Sequence, residues 1–259
     1  MKGISMISPN RAGVRARAAA GLAIAAVLFA GLYLLLSRME YSWNWRIPWE
    51  YRSLYLMGFT HTLLISAGAI ALGLILGFAG GLARVSKNIL AGEIARFYVE
   101  IFRGTPLLIQ IYIFYFCLAP AIYYDNPVVI GTVTLAFFTG AYITEMVRAG
   151  IESIEKGQVE AALSTGLNDW QAMRLVIFPQ AFRRIVPPVT GQFVSLIKDS
   201  SLLSVISVRE LTKASEMVNA TTYKTFEAYL PLAAMYLLLT FPLSLLTRQL
   251  EKHLHAGRS

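Results

Sequence analysis

Leu63-Leu64-Ile65-Ser66-Ala67-Gly68-Ala69-Ile70-Ala71-Leu72-Gly73-Leu74-Ile75-Leu76-Gly77-Phe78-Ala79-Gly80-Gly81-Leu82 carries no charged residue. About 20 predominantly apolar residues is what an α-helix needs to cross a bilayer. The run is continuous rather than alternating, which argues against the strand of a membrane barrel. It predicts a transmembrane helix over residues 63–82, extended backward toward Leu54. Further spans are expected over residues 18–36, 97–118, 128–147, 185–208 and 228–247. The fold class is therefore an all-α integral membrane protein with about six transmembrane helices.

Composition agrees. Of 259 residues, 56% are hydrophobic and 15% charged, and mean hydropathy is +0.56. A soluble domain carries about 25% charged residues. A net charge of +8 and a pI near 9.6 would suit nucleic acid. Here, however, the basic residues are scattered at span ends, where cytoplasmic loops hold Lys and Arg. No nucleic-acid partner is expected. The single cysteine, Cys117, lies in an apolar run and cannot form an intrachain disulfide. It reads as a small packing residue.

Arg11, Arg15 and Arg17 precede the first span, as in a signal peptide. Ser37-Arg38-Met39-Glu40 follows it in place of a small-x-small cleavage site, so an uncleaved span is expected. With the N-terminus inside, fifteen Lys and Arg fall in inner segments and six in outer ones, and Arg103 and Lys198 are left within spans. That bias predicts an N-in, C-in chain. It puts Trp43, Trp45 and Trp49 in the first outer loop, as an interfacial belt. Pro231 suits the first turn of the last span, and Pro242 should kink it.

The segment 150–184 is then cytoplasmic. Lys156 to Thr165 reads as a short helix that stops at Gly166, a residue at ease in the left-handed conformation that ends helices. Asn168, with Gln171 three residues on, is an Asn variant of the capping box and starts a second helix. Pro179 and the pair Pro187-Pro188 are expected to bound the remainder. In form alone this is a solvated connector. Its first helix, however, offers Glu160, Ala161, Ala162 and Gly166, a small-residue surface beside a carboxylate, suited to close docking of a partner.

Glu160-Ala161-Ala162, Gly166 after three residues, then Val176, Phe178 and Pro179 follow the EAA loop pattern of ABC importer permeases. Val176 and Phe178 stand where Ile and Leu are more usual. Three other segments resemble the polar amino-acid uptake branch of that family: Phe102 through Gln110, Ala141 through Glu145, and Gln192 through Leu202. The resemblance covers residues 54–250. It implies a five-helix type I importer core there, with residues 1–53 adding one N-terminal helix and its outer loop, and 251–259 forming a cytoplasmic tail. It implies a bacterial cytoplasmic (inner) membrane location and a second permease subunit, identical or similar. It also implies two ATPase subunits and an extracytoplasmic solute-binding protein. The EAA loop would dock on the ATPase. The solute would be a polar amino acid or a related compound such as an opine. ATP and Mg would sit on the partner, since this chain lacks the G-x-x-x-x-G-K-[ST] phosphate loop; Gly80 to Lys87 has the wrong spacing. No cofactor is expected on this chain.

Charges inside spans are costly and mark partners or wet paths. Arg103 lies six residues into the third span, and Glu145 lies near the inner end of the fourth. Six helical residues rise about 9 Å, so an Arg103–Glu145 ion pair is one reading. The other has Arg103 reaching the interface and Glu145 pairing with Arg148. Lys198, Asp199, Ser200 and Ser201 fall mid-span after the two prolines. Asp199 or Ser200 capping a second half-helix would line a translocation path. Alternatively, Lys198 and Asp199 neutralise each other. His61 is placed near the outer surface, where a capping or interfacial role is commoner than ligation, and no metal-ligand spacing accompanies it.

Two other function classes compete. An ion-gradient-driven secondary transporter of small polar solutes often shows two related halves with broken helices in matching positions; here one span is broken and no second half is evident. A membrane-embedded enzyme would need a paired acid and base or a metal constellation. Glu145 and Asp199 each lie beside a base, and His61 is alone. No catalytic residue is expected.

Overall fold

The computed structural model describes residues 11–38 and 40–256. The chain divides into two compact units, Met1–Asn44 and Trp45–Ser259. The described part of the first is dominated by α1 (Arg11–Ser37), which covers the expected span 18–36. Its Leu22, Val27 and Phe29 are exposed, as in a helix whose surroundings are lipid.

The second unit begins with α2 (Ile47–Glu50), α3 (Arg52–Val85) and α4 (Ile89–Gly104). Then α5 (Leu107–Tyr112) continues through a π-helical stretch, Ile113–Leu118, into α6 (Ala119–Ala121). Next come α7 (Pro127–Glu152), α8 (Lys156–Ser164) and α9 (Asp169–Ala172), the last joined by a π-helical stretch, Met173–Ile177, to α10 (Phe178–Asp199). A 3-10 helix, Ser200–Ile206, leads to α11 (Leu211–Thr222) and α12 (Thr225–Ala256). Arg52–Val85, Pro127–Glu152 and Thr225–Leu250 are each long and apolar enough to cross a membrane.

The centre of this unit is the α3–α7 pair. Gly73, Gly77 and Gly81 recur every four residues and so share one face of α3. A Cβ on Gly73 would meet the Ala136 carbonyl and Thr139; on Gly77, the Ile143 side chain; on Gly81, the Val147 side chain. Contacts advance together along both helices, so α3 and α7 run parallel. Two parallel spans require the chain between them to return across the membrane. Residues 89–121 supply that return, bent by 107° between α4 and α5.

That bend corrects the straight third span expected over 97–118. Pro106 has no N–H and disfavours helical geometry in the residue before it. Thr105 is accordingly extended, at φ −121° and ψ 145°, and Pro106 is the N-cap of α5.

The fifth span also departs from expectation. Pro187 and Pro188 do not bound a segment; they lie inside α10. Their missing N–H groups deprive the Arg183 and Arg184 carbonyls of helical partners. Beyond Asp199 the helix tightens to 3-10 geometry instead of restarting as a capped half-helix. Asp199 makes no side-chain cap bond, and Ser200 Oγ turns back to donate to the Ile197 carbonyl at 2.8 Å. Pro231 is likewise interior, because α12 begins at Thr225.

Overpacking a close helix contact costs about 1–3 kcal/mol. Gly77→Leu should therefore lower the thermal midpoint of the purified protein in detergent by several degrees. Gly157→Ala, at a position whose Cβ would meet nothing within 4 Å, should leave it unchanged or raise it slightly.

Candidate functional site

The loop between α7 and α10 is a structured hairpin. Inward, Val159 of α8 packs on a cluster that includes Ile154, Ile177, Ala181 and Ile185, and Ala162 is buried. Outward, Glu160 and Ala161 are exposed. The helix is closed by the Thr165 N–H donating to the Ala161 carbonyl and Thr165 Oγ1 donating to Ala162 at 2.7 Å. Gly166 follows at φ +86°, in the left-handed region expected for a helix stop.

Both halves of the capping box form. The Gln171 N–H donates to Asn168 Oδ1, and the Asn168 N–H donates to Gln171 Oε1, each at 2.9 Å. Asp169, the next residue, accepts from Lys87 Nζ at 2.5 Å, tying the hairpin to the α3–α4 turn. The Arg184 guanidinium donates to the Ser153 carbonyl at the hairpin's base. Sequence reasoning did not single out Leu163, Trp170 and Leu175, large apolar side chains of this hairpin that are 42%, 70% and 61% exposed. Such residues on a polar connector were the available signal.

Within the spans, the α4–α5 break is held by Gln110. Its Nε2 donates to the Phe102 carbonyl (2.8 Å), the Thr105 carbonyl (3.1 Å) and Thr105 Oγ1 (2.9 Å). The two carbonyls are ones that the end of α4 leaves without helical donors.

Arg103 and Glu145 approach each other, but the geometry is unequal. Arg103 Nη1 lies 4.0 Å from Glu145 Oε1, and its guanidinium sits 5.1 Å from the centre of the Tyr142 ring. Arg148 donates to both oxygens of the same carboxylate, from Nε at 3.0 Å and from Nη2 at 2.5 Å, and also donates to Glu152. Both readings of this cluster are thus present, with the local pair the tighter.

At the end of α10, Lys198 is exposed, Asp199 and Ser201 are half-buried and Ser200 is buried. Lys198 and Asp199 form no salt bridge. Adjacent helical residues point about 100° apart. Asp199 is a half-buried carboxylate without a hydrogen-bonding side-chain partner among the described residues.

A second polar cluster went unremarked in the sequence. Glu210 is fully buried at the start of α11. Its carboxylate accepts from the N–H groups of Thr212 and Lys213 (2.8 and 2.7 Å) and from the Tyr236 hydroxyl (3.0 Å). The signal was an acidic N-cap residue before Leu211. His61 Nδ1 is 2.9 Å from the Arg209 carbonyl oxygen, so the ring joins α3 to this same segment.

The family described as "Binding-protein-dependent transport system inner membrane component" matches residues 69–256. The chain belongs to that family and is a permease subunit of an ABC importer. It is 40% identical over 211 residues to the probable glutamine ABC transporter permease protein GlnM of Bacillus subtilis (strain 168), covering 82% of this chain and 98% of that one. It is 37% identical over 214 residues to the glutamine transport system permease protein GlnP of Escherichia coli (strain K12), covering 82% and 97%. A crystal structure of an amino acid ABC transporter with histidines superposes with a TM-score of 0.77 at 32% identity, over 82% of this chain and all of that one. The methionine transporter MetNI, at 19% identity and a TM-score of 0.63, shares the fold.

Leaving buried carbonyls unsatisfied costs about 1–3 kcal/mol each. Gln110→Leu should therefore speed hydrogen exchange at residues 102–110 while the α3–α7 interface stays protected, as read by mass spectrometry of the purified protein.

Proposed function

We propose that this chain forms the translocation path of an ATP-driven importer for glutamine or another polar amino acid, or a related compound such as an opine. A separate ATPase docks on the α8 hairpin through Glu160, Ala161, Ala162 and Gly166. Two ATPase subunits, a second permease subunit and an extracytoplasmic binding protein complete the assembly, and ATP with Mg is used on the ATPase. The chain is a transport subunit without catalytic residues. It lies in the bacterial inner membrane with both ends inside.

The observation that carries this reading is the hairpin itself. The nine-residue α8 is closed at its C-terminal end by Thr165, the helix after it carries the capping box and the Asp169–Lys87 tie, and Glu160 and Ala161 face outward. A connector needs none of that, whereas a rigid docking surface does. Arg84 and Arg148, near the same end of the parallel spans α3 and α7, support putting that end in the cytoplasm. Lys198, Asp199, Ser200 and Ser201 are the candidate path residues. Asp199 supports that role because an unpaired carboxylate at membrane depth is stable where water or a solute reaches it. The names of the relatives support glutamine.

Gly166→Val would force a β-branched residue into left-handed geometry, at a cost of about 1–2 kcal/mol, and would disturb the docking end of α8. In proteoliposomes holding the complete transporter, uptake should fall at least about tenfold while ATP hydrolysis continues. Undiminished, coupled uptake would remove the docking assignment.

Solute class is read by competition in cells carrying the complete transporter. Uptake of labelled glutamine should be blocked by excess unlabelled glutamine and by a subset of other polar amino acids. Sugars should not compete, and block by sugars alone would refute the amino-acid reading.

A further inference from the structure

We propose that Arg103 receives the α-carboxylate of the transported amino acid, at a station on the path beyond Asp199. The proposal rests on the importer reading above and adds a residue and a ligand group to it.

Arg103 is a guanidinium at the break in a membrane span, its side chain is 40% exposed, and its one ion-pair contact, to Glu145, is a long one. Its nearest carboxylate, Glu145, is engaged by two hydrogen bonds from Arg148. At 4.0 Å from Glu145 Oε1, Arg103 is beyond hydrogen-bond distance. Among the described residues it donates no hydrogen bond at all, although it carries five N–H donors. It is nevertheless held in place. Its guanidinium carbon lies over the Tyr142 ring, and the turn that carries it is fixed by Gln110. A positioned guanidinium with free donors matches a planar carboxylate, which it binds through two parallel hydrogen bonds.

The surroundings connect this group to Asp199. Tyr142 and Phe138 lie one turn apart on α7 with ring centres 4.9 Å apart. Phe138 packs on the buried cluster that holds Leu196 and Leu203, and Leu202 packs on the same cluster. Those leucines flank Asp199 in sequence. One face of α7 therefore runs from the α10 break, past Phe138 and Tyr142, to Arg103. An α-amino acid carries an ammonium suited to Asp199 and a carboxylate suited to Arg103. Neither group depends on the side chain, so the site accepts amino acids as a class.

The test uses the purified permease–ATPase complex in phosphatidylcholine nanodiscs without binding protein. Equilibrium dialysis measures binding of L-glutamine and L-histidine, each against its own α-carboxamide. A hydrogen-bonded charged group is worth about tenfold to a hundredfold in affinity. The unaltered complex should bind at least one amino acid that much more tightly than its carboxamide. Arg103→Gln should abolish the preference by weakening the amino acid alone, and Arg103→Lys should restore part of it. Equal weakening of both ligands, no preference in the unaltered complex or no binding of either amino acid overturns the proposal. So does an effect of Arg103→Gln seen only when anionic lipid is added, which would assign the residue to a lipid headgroup. ATP hydrolysis stimulated by solute-loaded binding protein in the same preparation separates the two claims. If stimulation is present and the preference absent, the importer reading stands and this inference falls.

Discussion

Everything in the second unit depends on how closely α3 and α7 approach. Lipid tails are as apolar as leucine, so burial from water does little to hold two spans together. Close packing between small residues does it instead. Gly73, Gly77 and Gly81 remove the side chains that would hold the helices apart, and Ile143 and Val147 fill the space. The same contact brings in α4. The Tyr98 hydroxyl donates to the Phe137 carbonyl at 2.5 Å, and a Cβ on Gly140 would meet that hydroxyl. Because α3 and α7 are parallel, the return crossing is compulsory. The chain makes it with a helix that breaks, which opens polar backbone inside the spans.

An open backbone in hydrocarbon is tolerable only where the protein supplies hydrogen bonds. The structure supplies such bonds at two irregular points. Gln110 serves the carbonyls of the α4–α5 break. Glu210, although a buried carboxylate, receives three donors and caps α11. Thr62 Oγ1 accepts from the Leu211 N–H at 3.1 Å, binding α11 to α3. The end of α10 is different, since among the described residues Asp199 has no such donors. Glu210 is thus a fully buried carboxylate with three donors, whereas Asp199 is half-buried and draws only on the charge of Lys198.

How much of this was legible in the sequence varies with the interaction involved. Spans were legible because hydrophobic length is a local property, and α3, α7 and α12 cover the expected positions. The capping box was legible because Asn168 and Gln171 contact each other across three residues. The α4–α5 break was written in Gly104 and Pro106, but the apolar run on either side outweighed them. Pro187 and Pro188 misled in the opposite sense. They break a helix that stands alone, yet α10 is packed along its length by Ile185, Val189 and Leu196, and the tertiary contacts carry it through. The unequal sharing of Glu145 between Arg103 and Arg148 depends on angstrom-scale placement, which no spacing rule supplies. Glu210 and Tyr236 are 26 residues apart, a pairing visible only once α11 and α12 are side by side.

The continuity of α10 links the two candidate sites. From Phe178 at the hairpin to Asp199 at the break, 22 residues form one helix, about 33 Å long. At its first end, Ala181 and Ile185 belong to the cluster on which Val159 of α8 rests. At its far end, Leu196 belongs to the cluster that takes in Leu107 and Ile111 of α5, just past the α4–α5 break. The helix against which α8 rests therefore carries Asp199 at its other end and leans there on the arm beside Arg103. Pro187 and Pro188 fall between these ends, where the missing backbone bonds make bending cheapest. In the proposed importer, a partner pressing on Glu160 and Ala161 would reach the polar path without touching it, because one helix belongs to both.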